Sequence, residues 1–131
     1  MNKEKYFTEG LALIKEEGEK KTLMTYAAVD ETVTVPDGIT VIGNAAFAMQ
    51  EHVKEIILPD SVTEIESLAF SYCTSLEHII LPERLKKIGK DAFFCCLSLK
   101  ELHIPDSVGA KGKRNAMKIF NASKKKLKNE S

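Results

Sequence analysis

Residues 35–57 read VPDGITVIGNAAFAMQEHVKEII, residues 58–80 read LPDSVTEIESLAFSYCTSLEHII, and residues 81–103 read LPERLKKIGKDAFFCCLSLKELH. These stretches are three copies of one unit, and IPDSV at 104–108 begins a fourth. Pro36, Pro59, Pro82 and Pro105 follow one another at intervals of 23 residues. A constant period of roughly 20–50 residues is typical of solenoids, in which each repeat packs only on its neighbours. We therefore predict stacked coils over 35–108.

The apolar positions of the copies align in columns, and these columns predict the core. Residues two apart in a strand point the same way, so Ile56 with Leu58 and Ile79 with Leu81 should face inward. Proline ends each strand because it cannot donate a ladder hydrogen bond, and one helical or 3₁₀ turn is expected around each phenylalanine. The further inward columns are Val53, Leu76 and Leu99; Leu102 and Ile104; Ile39, Val62, Leu85 and Val108; Ile42, Ile65 and Ile88; and Ala46-Phe47, Ala69-Phe70 and Ala92-Phe93.

The repeated pattern L-x-x-I-x-L-P-x-x-V-x-x-I-G-x-x-A-F-x-x-C resembles the BspA-type leucine-rich repeat. In the second copy it is carried by Leu58-Pro59, Val62, Ile65, Ala69-Phe70 and Cys73, whereas the first copy has Gln50 at the cysteine position. The resemblance implies an α/β fold: a right-handed leucine-rich-repeat solenoid of 23-residue repeats with short parallel strands and helical or 3₁₀ corners. It also implies a protein-interaction module, often on bacterial or protist surfaces, and it brings no catalytic residues.

Residues 1–34 are predicted to be an N-terminal cap followed by the first strand. The apolar runs LALI (11–14) and TLMTY (22–26) flank the polar stretch KEEGEKK, which predicts a β-hairpin with a long loop. Such a hairpin would cover the apolar end of the first coil. The alternation in VDETVTV (29–35) predicts a strand in which Val33 aligns with Ile56, Ile79 and Leu102.

Residues 109–131 are predicted to be a basic capping helix or tail. They contain 8 Lys/Arg and 1 Asp/Glu, whereas residues 1–108 contain 11 and 18. Ala116, Ile119, Phe120 and Leu127 form a helical stripe that would close the open end of the stack. The alternatives are an adaptor whose basic helix contacts an anionic membrane or nucleic acid, and self-association through the solenoid ends or this helix. Neither membrane nor nucleic acid is the expected partner.

The cysteines, histidines and acids predict no catalytic, metal or cofactor site. Cys73 and Cys96, one period apart, should lie about 5 Å from each other, which is within the range of a disulfide; they are interpreted instead as stacked buried thiols that act as small apolar groups. His52, His78 and His103 fall in different columns, which disfavours zinc. The acids after the prolines (Asp37, Asp60, Glu83 and Asp106) are explained by turn chemistry. We therefore expect a protein without enzymatic activity.

A protein partner of unknown identity is the expected ligand, and the outward strand positions are its expected site. The charge column Glu31, Lys54, Glu77 and Lys100 should mainly keep the strands in register. Exposed apolar groups beside it favour a partner surface. The predicted partner-binding residues are Glu55, Ile57, His78, Ile80, Glu101 and His103 on the strands, and Tyr72 and Phe94 at the corners.

Composition places the chain among ordinary globular proteins, with 44% hydrophobic and 29% charged residues. The first residues, MNKEKYFTEGLALIKEE, contain no uninterrupted apolar run and no small-residue cleavage site. This pattern predicts a cytoplasmic protein. The family resemblance favours the alternative of a secreted or cell-surface protein.

Overall fold

The computed structural model describes residues 3–117 of the 131-residue chain. Nine β-strands follow one another in this part, and helical residues 110–117 (α1) come after them. They form a six-stranded sheet in the order β1-β2-β3-β5-β7-β9 and a three-stranded sheet in the order β4-β6-β8. The strands are β1 (Glu4–Glu9), β2 (Ala12–Glu17), β3 (Lys20–Tyr26), β4 (Thr32–Thr34), β5 (Val41–Ile42), β6 (Glu55–Ile57), β7 (Glu64–Ile65), β8 (His78–Ile80) and β9 (Lys87–Ile88).

Three antiparallel strands, rather than one hairpin, cover the N-terminal end of the stack. β2 and β3 form the predicted hairpin, but only residues 18–19 separate them, so the prediction of a long loop is wrong. The charged residues of that stretch extend the strands, since Glu16 lies opposite Lys21 and forms an ion pair with it at 3.9 Å. Gly18, at a φ of 62°, adopts the left-handed conformation that tight hairpin turns require. β1, which was not predicted, pairs with β2.

From β3 onward all strands pair in parallel, which confirms the predicted short parallel strands. In the smaller sheet Val33 lies opposite Ile56, and Ile56 lies opposite Ile79, as predicted. The predicted fourth strand at 100–103 is not formed. Within 3–117, one backbone hydrogen bond joins these residues to the coil before them, from Lys100 N to Glu77 O at 3.3 Å. Among the residues that the structure describes, no later strand pairs with this position.

The predicted inward columns are buried, apart from Leu102 and Ile104, which are half-buried at that last position. The rings of Phe47, Phe70 and Phe93 stack with centroids 5.5 and 5.4 Å apart. Tyr26 of β3 extends this aromatic ladder, with its ring centroid 5.6 Å from that of Phe47. The N-terminal sheet therefore shares one core with the coils, because it supplies the first ring of their ladder.

The corner around each phenylalanine is a turn, and the predicted helical or 3₁₀ geometry is wrong. Ala45 and Met49 have positive φ angles of 57° and 65°. A right-handed helical turn cannot contain such left-handed residues. Phe47 N donates across to Ala69 O of the next coil at 2.8 Å, whereas the N–H of Ala48 donates within its own corner. In addition to the hydrogen bonds of the two sheets, the corners thus form a third line of hydrogen bonds along the stack. The equivalent positive-φ residues of the later corners are Leu68, Tyr72, Asp91 and Cys95.

The buried thiols of Cys73 and Cys96 lie where the sequence placed them. Each Sγ donates to the carbonyl oxygen of the preceding coil's phenylalanine, Phe47 and Phe70 respectively, at 3.1 Å. Burial raises the pKa of Cys73 to about 12 and raises that of Cys96 as well, because the thiolate would be poorly solvated there. Both cysteines are uncrosslinked and act as packing groups.

The helix α1 covers the edge of the larger sheet beyond β9. Asn115 Nδ2 donates to Ile88 O at 2.9 Å, and Ala116 is fully buried in the common core. A Cβ atom at Gly112 would lie 2.7 Å from Val108 Cγ1 and 3.3 Å from Ile88 N, so α1 can pack this closely because Gly112 has no side chain. These contacts agree with the predicted C-terminal cap. Ile119, Phe120 and Leu127, also assigned to that cap, lie outside the described residues.

Candidate functional site

The outward face of the smaller sheet, called here the strand face, contains four of the eight residues predicted to bind a partner. Alternate residues of a strand point to opposite sides. Because Ile56 and Ile79 are buried, their neighbours Glu55, Ile57, His78 and Ile80 point outward. Ile57 and Ile80 lie opposite each other in the β6–β8 pair, and their side chains are 38% and 69% exposed. The sequence prediction of adjacent exposed isoleucines is confirmed.

A line of charged pairs borders this face. Lys54 Nζ lies 3.5 Å from Glu31 Oε1, and Lys100 Nζ lies 3.0 Å from Glu77 Oε1. The hydrogen bond and charge of Lys100 lower the pKa of Glu77. Each pair links two consecutive coils and neutralises its own charges.

A cleft of about 660 Å³ opens on the strand face between β8 and residues 101–103. It brings together five of the predicted residues: Glu55, His78, Ile80, Glu101 and His103. Ile79, Leu81, Leu102 and Glu83 complete its lining and were not predicted as site residues. A signal for Glu83 existed in the sequence, since an acidic residue follows each proline.

The cleft is acidic around an apolar floor. Its carboxylates are Glu55, Glu83 and Glu101, and none of the residues that line it is lysine or arginine. Thr32 Oγ1 approaches Glu55 Oε1 at 3.5 Å. Among the residues described, none of the three carboxylates forms an ion pair. The site therefore presents unneutralised negative charge beside Ile80.

The remaining predicted residues, Tyr72 and Phe94, form a second exposed group at the corners. Their rings meet edge to face with centroids 5.5 Å apart. Both side chains are exposed, and neither lines the cleft. The structure thus divides the predicted partner site into two separate surfaces.

The described residues offer no arrangement suited to metal binding. Within 3–117, no three residues among His, Cys, Asp and Glu come together in a way that could hold a metal ion. In the same part of the chain, no helix has the length and apolar character needed to cross a membrane.

Comparisons with known proteins agree with the repeat pattern. Residues 27–124 match the family described as BspA type leucine rich repeat region, in six copies. A comparison with curated proteins gave no match.

Solved bacterial structures share the fold. A leucine rich cell surface protein from Faecalibacterium prausnitzii is 30% identical, with a TM-score of 0.73 over 79% of this chain and 31% of its own. A leucine-rich repeat protein from Bacteroides capillosus is 32% identical, with a TM-score of 0.72 over 79% of this chain and 84% of its own. This chain therefore spans less than a third of the first protein's length and most of the second's. The T. pallidum leucine rich repeat protein, 23% identical with a TM-score of 0.58, shows likeness of fold alone.

Proposed function

Because the chain belongs to the BspA-type leucine-rich repeat family, we propose that it is a non-catalytic module that binds a partner protein through the strand face. Repeat families of this kind generally use an extended surface built from consecutive repeats for binding. The partner-binding residues of this proposal are Glu55, Ile57, His78, Ile80, Glu101 and His103.

The single observation that carries the proposal is the pair of exposed isoleucines on a rigid sheet. Ile57 and Ile80 are adjacent in the β6–β8 ladder, and the strands below them are fixed by a continuous buried core. Contiguous exposed apolar groups on a folded protein commonly mark a binding surface. A surface held in one conformation also loses little freedom on binding, which favours affinity.

The finer features of the fold belong to the same proposal. We take the coil to be right-handed with a repeat of 23 residues. We also propose a location at the cell surface, since the similar Faecalibacterium prausnitzii structure is described as a cell surface protein. The corner pair Tyr72 and Phe94 is proposed as a secondary contact.

Crosslinking capture from cells of the source organism tests the proposal. Wild-type protein is compared with the double variant Ile57→Ser/Ile80→Ser and with Val29→Ser. Val29 is as exposed as Ile80, at 69%, and lies outside the strand face. We expect one specific protein to be captured by wild type and Val29→Ser and lost with the double variant. Equal capture by all three proteins would exclude the strand face as the binding site.

A further inference from the structure

We propose that the cleft on the strand face recognises a basic, extended segment of a partner protein, in which lysines or arginines flank an apolar residue. This inference rests on the proposed function and names the chemistry of the partner. Three features of the cleft support it: its charge, its apolar floor and the unpaired strand position beside β8.

The charge of the cleft selects a cationic occupant. Glu55 lies on β6, Glu83 follows β8, and Glu101 lies at the next strand position; none of them has a cationic partner in the part of the chain that is described. The nearby lysines Lys54 and Lys100 are already paired with Glu31 and Glu77. Carboxylates in a concave surface attract cations more strongly than carboxylates on a flat one, because the surrounding low-dielectric walls focus their field.

The carboxylates continue beyond the cleft. Glu83 also lines a neighbouring groove with Asp60 and Arg84. Negative charge therefore extends from Glu55 and Glu101 across the face to Asp60, interrupted by one arginine. A segment with several spaced basic residues matches this distribution better than a single cation does.

The floor of the cleft adds an apolar contact. Ile80 is 69% exposed there, beside Leu81 and the half-buried Leu102. An isolated polycation would leave this apolar surface in water. A segment that places one leucine, isoleucine or aromatic side chain between its basic residues would bury it, at roughly 25 cal/mol per Å² of apolar area.

The open last strand position explains why the cleft exists at this level. His78 N donates back to Lys54 O at 3.2 Å, so the alternation of a strand directs the N–H and C=O of Ile79 toward the opposite side. Residues 101–103 lie on that side but are joined to the coil before them by the Lys100–Glu77 backbone bond, and they form no ladder with β8. The cleft follows from this gap. An extended segment is therefore the expected shape of its occupant.

Peptide titration of the full-length protein tests the proposal. The probe is a synthetic 12-residue peptide with lysines on both sides of a central Leu-Ile pair, and the comparison peptide has glutamate at every lysine position. We expect the basic peptide to bind with NMR shift changes centred on His78, Ile79 and Ile80, and the acidic peptide not to bind. Glu55→Gln/Glu83→Gln/Glu101→Gln should weaken binding at least tenfold, whereas Glu64→Gln/Glu66→Gln on the other sheet should leave it unchanged.

Three outcomes would overturn the inference. Equal weakening by both sets of substitutions would show non-specific attraction to the acidic body. Affinity that rises more than tenfold on removal of 118–131, which holds five lysines and one glutamate, would assign the cleft to the chain's own tail. Failure of the basic peptide to bind, while Ile57→Ser/Ile80→Ser still abolishes capture of the native partner, would leave the proposed function intact and reject a basic occupant.

Discussion

Gln50 Nε2 donates a hydrogen bond to the carbonyl oxygen of Tyr26 at 2.9 Å. In the two later coils the same role is performed by the thiols of Cys73 and Cys96, each bonded to the carbonyl of a stacked phenylalanine. Tyr26 is itself the first ring of that ladder. Gln50 therefore joins the antiparallel N-terminal sheet to the repeats, with a longer side chain where the repeat has a cysteine.

Replacing Gln50 with leucine should destabilise the protein. The substitution removes the donor and leaves Tyr26 O without this partner in a partly buried place, which costs about 1–3 kcal/mol. Urea unfolding measures the loss. Met49→Leu, at the adjacent and 70% exposed position, is the control and should change the free energy of unfolding little. Equal stability of Gln50→Leu and wild type would contradict a structural role for this bond.

Substitution in the aromatic ladder should lower the free energy of unfolding most at the central ring. Phe70 stacks on two rings, at 5.5 and 5.4 Å, and is fully buried, whereas Tyr26 stacks on one. Phe70→Leu should cost about 2 kcal/mol, since each aromatic pair adds about 0.5–1.5 kcal/mol beyond burial. Tyr26→Leu should cost less, and Tyr72→Leu, at the exposed edge-to-face pair, least of all. Chemical denaturation of the three variants checks this order.

Met49→Gly should stabilise the protein, an unusual outcome for glycine. Met49 has a φ of 65° and a largely exposed side chain. The left-handed conformation costs an ordinary residue about 1–2 kcal/mol. Glycine removes this cost, but its greater freedom in the unfolded chain offsets part of the gain. A net gain of about 0.5–1 kcal/mol is expected. Met49→Ala keeps the Cβ atom and should show no gain, so equal behaviour of the two variants in thermal unfolding would refute strain as the cause.

Stability should fall with rising pH above the ordinary thiol range. The pKa of Cys73 is raised from 9.0 to about 12 by burial, and that of Cys96 is raised too. Only the unfolded chain ionises these thiols between those values. The stabilisation is therefore complete below pH 9 and declines above it, by up to about 1.4 kcal/mol per pH unit for each thiol. Urea unfolding at pH 8 and pH 10 should show a smaller difference for Cys73→Ala/Cys96→Ala than for wild type.

The Glu77 carboxyl should titrate below its ordinary range, because Lys100 donates a hydrogen bond to it and Lys54 adds a weaker attraction. Lys100→Met should raise the pKa of Glu77 toward the ordinary value, and Lys54→Met should raise it less. NMR titration of the Glu77 side chain distinguishes the two variants. A pKa that responds equally to both substitutions would argue against the 3.0 Å contact as the main cause.

The columns of the repeat could be predicted because each inward position recurs in every copy. The corners could not: Ala45, Leu68 and Asp91 share a positive φ, and alanine and leucine give no indication of it. Ala45 N and Leu68 N each donate to the next coil at 3.2 Å, and Asp91 keeps the same conformation in the last corner. β1 was missed because five of its six residues are exposed, which leaves no apolar alternation. The place of Tyr26 in the aromatic ladder was missed because Tyr26 lies in β3, before the first repeat, and so has no position in the repeat pattern.

The candidate site was predictable in part. Glu55, His78, Ile80 and Glu101 were placed on one surface because strand alternation and the repeat period determine which side chains point outward. The cleft itself was not predictable. It depends on residues 101–103, whose pattern matches the earlier strands, failing to join them. A strand needs neighbours as well as a suitable pattern, and Leu102 stays half-buried where no later strand of the described part pairs with its segment.

The amide of Asn115 has a consequence for how the chain avoids aggregation. A parallel strand edge such as that of β9 would template any extended chain that offers N–H groups at the right spacing. Asn115 Nδ2 donates to the Ile88 carbonyl, and α1 lies over the β9 edge, so this edge of the larger sheet is closed by a side chain. The β9 edge is thus covered by a helix that belongs to neither sheet. Duplication of a whole repeat upstream of β9 would lengthen the larger sheet and leave the cover over its β9 edge in place.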